Sequence, residues 1–224
     1  MAKKALLTDA FGILVDSLSF QCNIFYQFAE DKFGLSEDDV KDTYKKYRHR
    51  SFVEQNYDYE DAMRDIFQEL NMGDYYQSFI EQNQGAKGDV TVKEGVVKTL
   101  EELKKRNIPV YVVTDFSAPT SEARRIFTNV GLMHLIDGII SSKDVGHMKP
   151  DDEIFDHALQ EYGLKKEDTY FLGHAHDEVH GAHEYGLNSV VCFPDEGKDF
   201  SFLPNERRLE SLEELPDLIK VKTV

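Results

Sequence analysis

Near its start the chain reads Ala5-Leu6-Leu7-Thr8-Asp9-Ala10-Phe11-Gly12, an apolar run that ends in an acid and a glycine-containing turn. A short, continuous apolar run of this kind predicts a buried strand of a parallel sheet. In such sheets ligands bind at the carboxyl ends of the strands, which is where Asp9 would emerge. A carboxylate held at that edge can be a nucleophile, a metal ligand or both. We therefore expect the rest of the chain to be arranged around Asp9.

From residue 89 onward, apolar strands alternate with amphipathic helices. The strands are predicted over residues 110–114, 138–142, 170–173 and 189–193. Continuous apolar strands separated by amphipathic helices indicate a parallel sheet that is covered on both faces. The sequence therefore predicts a doubly wound, Rossmann-like α/β core. Thr114, Ser142 and Gly173 would emerge beside Asp9 at its carboxyl edge.

Between these two parts, residues 17–88 predict an all-helical block. Ser36, with Asp39 three residues later, is typical of a helix start. The glycine-rich stretch 84–89 indicates a hinge or linker. We therefore expect a core domain formed by residues 1–16 and 89–224, interrupted by a helical domain over residues 17–88. The helical spacing of apolar residues is seen in Phe20, Ile24, Phe25 and Phe28, in Met63, Ile66, Phe67 and Leu70, and in Tyr75, Tyr76, Phe79 and Ile80.

The composition is that of an ordinary soluble protein, with 41% hydrophobic and 30% charged residues among 224. No apolar run approaches the roughly 18 residues of a membrane helix, so we expect a cytoplasmic protein. A formal net charge of −16 disfavours nucleic acid and anionic membranes as partners, because both would be repelled. A small anionic substrate remains compatible, since one pocket can be positive on an acidic protein. Cys22 and Cys192 are expected to be free thiols.

The order of these features resembles the haloacid dehalogenase superfamily of hydrolases over essentially the whole chain. The matching features are Asp9 after the first strand, Thr114 at the end of the second, Lys149-Pro150 after the third, and residues 173–182 after the fourth. The resemblance implies that the helical domain is a cap and that Asp9 attacks the substrate to form an aspartyl-enzyme intermediate. It also implies that Thr114 binds the transferred group. Lys149 would offset the charge of the nucleophile and the substrate.

Two positions depart from the phosphatases of this superfamily. Their general acid lies two residues after the nucleophile, where this chain has Phe11, which has no proton to give. Their fourth motif carries acids that hold magnesium, whereas here it runs Gly173-His174-Ala175-His176-Asp177-Glu178. His174 replaces the first acid and Glu178 the last, although Asp177 would serve if the turn were one residue tighter. A phosphatase would thus bind Mg²⁺ through Asp9, His174, Asp177 and Glu178. We expect that binding to be weak, because magnesium prefers oxygen ligands.

The dehalogenases proper resemble the chain at its start. They begin with Asp-Ala-Tyr-Gly, need no metal and carry an aromatic residue in place of the second acid, a pattern that Asp9-Ala10-Phe11-Gly12 matches closely. In these dehalogenases an arginine of the cap receives the halide. This alternative therefore implies no cofactor. The expected substrate-binding residues are Phe11, Gly12, Asp115, Arg48 and Arg50.

A histidine cluster follows the fourth core strand. On a helix, His176, His180 and His183 would share one face, a spacing that can hold a transition metal such as zinc. A solvated helix face beside the active site is the simpler interpretation of the same pattern.

Three functions remain open. Hydrolysis of a phosphate ester through Asp9 is favoured, because phosphatases dominate the superfamily. Metal-independent dehalogenation, or a related substitution at carbon, is the second. The third is a catalytically silent relative that acts as a binding or regulatory module, since Phe11 and His174 together remove the general acid and a metal acid.

Overall fold

The computed structural model describes residues 4–17, 21–83 and 90–219. Its strands are β1 (Ala5–Thr8), β2 (Val15–Ser17), β3 (Val90–Val92), β4 (Val110–Thr114), β5 (Gly138–Ser141), β6 (Thr169–Gly173), β7 (Asn188–Cys192) and β8 (Arg208–Leu209). Its α-helices are α1 (Gln21–Phe33), α2 (Glu37–Val53), α3 (Tyr59–Glu69), α4 (Tyr76–Asn83), α5 (Val96–Lys105), α6 (Thr120–Asn129), α7 (Ser142–Val145), α8 (Asp152–Glu161), α9 (His176–Tyr185) and α10 (Leu215–Leu218).

Six strands form one parallel sheet in the order β5-β4-β1-β6-β7-β8. β1 lies inside the sheet, with Leu7 opposite Tyr111 of β4 and Phe171 of β6. Strands β4 and β5 lie on one side of β1, and the later strands β6, β7 and β8 lie on the other. The carboxyl end of β1 therefore lies at the switch point, where ligands bind in such sheets. The predicted doubly wound parallel sheet is confirmed.

The two faces of the sheet carry separate hydrophobic cores. All four residues of β1 are buried. Leu6 belongs to the core that includes Leu100 of α5, whereas Leu7 belongs to the core that includes Phe155 of α8. Each buried leucine contributes roughly 1.5–3 kcal/mol. Burial on both faces explains why the strands are apolar without alternation.

A short antiparallel ribbon at the base of the helical insertion was not predicted. After Asp9 the chain turns at Gly12, whose φ is +81°, and enters β2, where Val15 lies opposite Val92 of β3. Each of these strands has three residues, too few to show a period-2 pattern. The ribbon brings the start and the end of the insertion together. The hinge expected at residues 84–89 lies outside the described residues.

Two predicted strands end one residue earlier than expected. Ser142 begins α7 instead of ending β5, because the Ser141 side chain accepts a hydrogen bond from Lys143 N and caps that helix. Phe193 has a φ of +55°, which takes the chain out of β7. Both differences lie at the carboxyl edge of the sheet, where each strand leads into the next loop or helix.

Helices α1–α4 pack around an aromatic core of their own, as the helical spacing predicts. The ring centroid of Phe25 lies 5.8 Å from that of Phe67 and 6.2 Å from that of Phe79. The backbone N–H and the hydroxyl of Ser36 both donate to Asp39 Oδ2, at 2.8 and 2.7 Å, and α2 begins directly after Ser36. Within the described ranges, no helix has the length and apolarity that crossing a membrane requires. The two cysteine thiols are free.

Lys143 joins the insertion to the core. Its side chain is buried, and Nζ donates to the backbone carbonyls of Ser51 at 3.1 Å, Tyr57 at 2.8 Å and Glu54. Gln55 Nε2 donates in return to the Lys143 carbonyl oxygen at 2.8 Å. These carbonyls belong to the end of α2 and the turn after it. The ammonium therefore satisfies acceptors that a helix end leaves without partners.

Replacing Lys143 with methionine is expected to lower the free energy of unfolding by about 1–3 kcal/mol, because the carbonyls lose their donor. Urea unfolding measures the change. Lys41→Met is the matched control, since Lys41 pairs with Asp38 on the surface of α2 and its loss should change stability by no more than about 0.5 kcal/mol. Equal stability of the two variants would show that Lys143 does not hold the two parts together.

Candidate active site

Asp9 and Lys149 form a buried ion pair at the carboxyl end of β1. Lys149 Nζ donates to Asp9 Oδ1 at 2.6 Å and to the Val113 carbonyl oxygen at 2.8 Å. The side chain of Lys149 is 0% exposed and that of Asp9 is 8% exposed. A charge-assisted hydrogen bond away from water is strong, so it fixes the carboxylate of Asp9 in one orientation. The second oxygen, Oδ2, faces the rest of the site.

Two more carboxylates surround the same ammonium. Asp115 Oδ2 lies 3.6 Å and Glu178 Oε2 lies 3.7 Å from Lys149 Nζ, and Asp115 Oδ1 accepts from Lys149 N at 3.0 Å. Burial raises the pKa of Asp115 and of Glu178, an effect that Lys149 opposes and Asp9 reinforces. Burial disfavours the charge of Lys149, but the three carboxylates outweigh it and raise its pKa. The site thus holds one firmly positive group among several acids.

The raised pKa of Glu178 makes the stability of the fold depend on pH. The folded state binds this proton more tightly than the unfolded chain does. The resulting stabilisation is complete below the ordinary pKa of 4.5 and is lost as the pH rises through the raised value. We therefore expect Glu178→Gln, which cannot ionise, to gain stability relative to the unaltered protein as the pH rises from 5 to 8.

Urea unfolding of both proteins across this range measures the difference. Lys149, Asp9, Asp115 and Asp195 act on Glu178 in the unaltered protein and are present in the variant as well, so the two proteins differ only in the ionisable group at position 178. A difference that does not change with pH would contradict the raised pKa.

His174 lies against the other side of Asp9. Its Nε2 is 3.7 Å from Asp9 Oδ2, and its Nδ1 is 3.4 Å from Asp195 Oδ1. Asp195 is held in turn, because its Oδ2 accepts from His176 N at 3.4 Å and its backbone N–H donates to the His174 carbonyl oxygen at 3.3 Å. A Cβ added to Gly12 would come within 2.5 Å of His174 Nε2. The imidazole therefore occupies the space that a side chain at position 12 would need.

Phe11 and Thr114 complete the surroundings of Asp9. The Phe11 ring centroid lies 5.9 Å from that of Phe116, whose backbone N–H donates to Ser142 Oγ at 3.0 Å. Thr114 is 1% exposed, and its Oγ1 has no hydrogen-bond partner among the described residues. A buried hydroxyl without a partner is unfavourable, so it is suited to bind a ligand oxygen.

Glu178, and not Asp177, is the acid that the fourth motif brings to Lys149. The side chain of Asp177 is 88% exposed and lies 3.0 Å from His176 Nδ1. The hydrogen bond from His176 is the main cause of a lowered pKa at Asp177, with smaller effects from Lys198 and from Lys45 of α2. The chain does not adopt the tighter turn that would point the side chain of Asp177 inward.

Arg48 and Arg50 lie on α2, and their contacts among the described residues are all within the helical insertion. Arg50 pairs with Glu54 at 2.8 Å and with Asp65 at 3.4 Å. The guanidinium of Arg48 lies 4.7 Å from the ring centroid of Phe52. These contacts stabilise the insertion, and a role of either arginine in binding substrate stays a prediction.

The histidine stripe of α9 packs around one aromatic ring. His176, His180 and His183 lie 5.8, 4.9 and 5.4 Å from Phe202, measured between ring centroids. Over the described parts of the chain, no group of three His, Cys, Asp or Glu side chains is placed to hold a metal ion. In this structure the stripe is therefore a face that packs against Phe202.

Among the described residues, the acids around Asp9 are not arranged as the ligands of a magnesium ion. Lys149 donates to Oδ1 of Asp9, and Nε2 of His174 lies 3.7 Å from Oδ2. A cation bound to Oδ2 on this side would need the space of the imidazole. Asp177 faces solvent and therefore cannot supply a ligand oxygen to a cation beside Asp9.

Asp195 and Phe116 were not predicted as site residues. Both follow strands of the sheet at its carboxyl edge, so their position carried a usable signal. Phe116 has no chemistry of its own to mark it, and Asp195 reaches His174 only because of the shape of the loop after β7. Neither contact follows from sequence spacing.

The fold thus combines a parallel sheet, the Asp9–Lys149 pair at its switch point and a helical insertion between β2 and β3. Residues 9–192 match the model of the haloacid dehalogenase-like hydrolases, and the chain belongs to this family. The predicted resemblance is confirmed.

Related proteins and structures span different activities. A glyceraldehyde 3-phosphate phosphatase from Methanocaldococcus jannaschii is 31% identical over 55% of this chain and 54% of its own. The pyrophosphatase PpaX of Halalkalibacterium halodurans is 30% identical over 58% of this chain and 60% of its own. The matches therefore span little more than half of these relatives. A crystal structure of a dehalogenase with an intermediate complex matches at 20% identity and a TM-score of 0.69, covering 97% of both chains.

Proposed function

We propose that this protein hydrolyses a small anionic substrate, a phosphate ester, through an aspartyl-enzyme intermediate on Asp9. The observation that carries the proposal is the buried hydrogen bond of 2.6 Å between Lys149 and Asp9. An anionic nucleophile that attacks an anionic group needs a fixed cation within a few ångströms. Lys149 is such a cation, with Asp115 and Glu178 helping to keep it charged.

The reaction proceeds in two displacements at phosphorus. An oxygen of Asp9 attacks the phosphorus, the electron pair of the phosphorus–ester oxygen bond stays with the ester oxygen, and the leaving alcohol takes a proton from solvent water. Water then attacks the phosphorus of the aspartyl phosphate, which releases inorganic phosphate and restores the carboxylate. The unpartnered hydroxyl of Thr114 is suited to bind an oxygen of the transferred group. Residues 17–88 act as a cap over the substrate.

The substrate class is supported by two relatives at 31% and 30% identity, which are named a glyceraldehyde 3-phosphate phosphatase and a pyrophosphatase. The acidic surroundings of Lys149 favour a substrate of low charge, because further negative charge would be repelled. A monoester of a small alcohol, or of a short sugar-like alcohol, meets both conditions.

Phosphate release from a panel of small monoesters and from pyrophosphate, with EDTA or with Mg²⁺, tests this proposal. We expect turnover of at least one monoester, and the same rate in EDTA as in Mg²⁺, because the acids near Asp9 do not form a magnesium site. A panel without any turnover would refute the proposed activity and favour a binding or regulatory module. Turnover only with Mg²⁺ would refute the metal-free form of the proposal.

Substitution at carbon, as in dehalogenation, is the second candidate, favoured by the aromatic pair of Phe11 and Phe116. Apolar rings beside Asp9 suit a carbon-bound leaving group that needs no proton.

Water labelled with heavy oxygen separates the two reactions. An alkyl ester of Asp9 is hydrolysed at its carbonyl carbon, so label enters Asp9 over several turnovers. An aspartyl phosphate is hydrolysed at phosphorus, which leaves Asp9 without label.

A further inference from the structure

The second oxygen of Asp9 faces an imidazole. Oδ1 accepts from Lys149, whereas Oδ2 lies 3.7 Å from His174 Nε2. The His174 side chain is 28% exposed, so one side of the ring remains open to a bound molecule. Any group that binds Oδ2 must therefore lie next to this ring.

A second carboxylate holds the far side of the ring. Asp195 Oδ1 lies 3.4 Å from Nδ1, and its other oxygen accepts from the first N–H of α9. The ring therefore lies between two carboxylates, one beside each of its nitrogens. Gly12 leaves no room for the ring to move toward the backbone, since a Cβ there would approach Nε2 to 2.5 Å.

The site has more carboxyl groups than Lys149 can pair with. Asp9, Asp115, Glu178 and Asp195 supply four carboxyl groups, and Lys149 is in ion-pair distance of only three of them. Burial keeps part of this charge neutral, because it raises the pKa of Asp115 and Glu178. An anionic substrate would still meet excess negative charge beside Oδ2 of Asp9, which Lys149 does not contact.

We infer that the imidazole of His174 is a catalytic group that takes the place of a divalent cation beside Asp9. In this role, which rests on the proposed phosphate ester hydrolysis, Nε2–H donates to an oxygen of the transferred phosphoryl group while Asp9 attacks the phosphorus. The donated hydrogen bond offsets charge on that oxygen. No proton is transferred to or from His174, and the leaving alcohol takes its proton from solvent water.

Two substitutions at one position test this inference. His174→Gln keeps a hydrogen-bond donor but removes the ring that holds it in place, so we expect kcat to fall about 10²-fold or more, with no recovery in Mg²⁺. His174→Asp removes the ring and places a carboxylate opposite Asp9 Oδ2, where a divalent cation prefers oxygen ligands. We expect this variant to be inactive in EDTA, to regain turnover in Mg²⁺, and to bind Mg²⁺ in titration calorimetry without substrate.

His180→Gln and His180→Asp are the matched controls, because His180 lies on the exposed side of α9 against Phe202. We expect them to keep the activity of the unaltered protein and to bind no Mg²⁺. Calorimetry needs no turnover, so it tests the cation position even where the choice of substrate is wrong.

Three results would overturn the inference. They are full activity of His174→Gln, no Mg²⁺ binding by a folded His174→Asp protein, and Mg²⁺ binding at Asp9 in the unaltered protein. Failure of the proposed function has a different signature, namely no phosphate release by the unaltered protein from any ester while His174→Asp still binds Mg²⁺.

Discussion

Asp9→Asn should reduce turnover by at least about 10³-fold, with little change in the amount of folded protein. Asparagine has nearly the shape of aspartate, but its amide is not a nucleophile, so no covalent intermediate can form. Lys149 would still find an oxygen acceptor at this position. Steady-state assay of the purified variant, together with its circular dichroism spectrum, measures both effects.

Asp16→Asn is the matched control for this substitution. Asp16 lies in β2, is 42% exposed and faces Lys93 at 3.4 Å, so its loss should leave turnover within a factor of about two. A folded Asp9→Asn protein that keeps the activity of the Asp16→Asn protein would show that another group carries out the attack.

Lys149→Met should lower the free energy of unfolding by about 3–5 kcal/mol, because it leaves buried carboxylates without their cation. The deficit should be larger at pH 8 than at pH 5, since protonation of Asp115 and Glu178 removes unpaired charge at the lower pH. Turnover should fall by at least about 10²-fold. Urea unfolding at the two pH values measures the stability, and the assay of the folded variant measures the turnover.

Lys4→Met provides the comparison for this variant. Lys4 pairs with Asp168 at 3.0 Å near the surface, so its loss should change stability by less than about 1 kcal/mol at either pH. If Lys149→Met were no less stable than Lys4→Met, the ion pair at Asp9 would have no structural importance.

The elements with a strong residue pattern could be predicted from the sequence. The apolar run of β1 and the helical spacing of Met63, Ile66 and Phe67 each correspond to an element of the fold. The ribbon of β2 and β3 could not be predicted, because strands of three residues show no period and their partners are about 75 residues apart. Pairing at that distance is decided by the packing of the insertion on the core.

Sheet geometry predicts that Asp9 and Thr114 emerge at one carboxyl edge, because parallel pairing brings such strand ends together. The position of Lys149 beside Asp9 was expected only from the resemblance to the superfamily, and the structure brings the two side chains into contact. Asp195 and Phe116 lie in loops whose shape the sequence does not specify. The residue at which α9 begins decides which acid of the fourth motif faces Lys149. A shift of one residue would change that acid, and sequence spacing does not fix the start of the helix so closely.

The expected magnesium site depends on one side chain. Replacing an acid by His174 changes the ligand type and also fills the space beside Asp9 Oδ2 with a ring. Sequence comparison reveals the first effect but not the second. The position of the ring against Gly12 is a product of the fold.

The most direct measurement is acid quench of the unaltered protein during turnover of a phosphate monoester in EDTA, followed by mass spectrometry of the peptide that contains Asp9. We expect a fraction of that peptide to carry the mass of one phosphoryl group, and we expect this species to be absent from Asp9→Asn. Turnover in EDTA with the phosphoryl group on another residue, or with an intermediate that persists in Asp9→Asn, would contradict the assignment of Asp9 as the nucleophile.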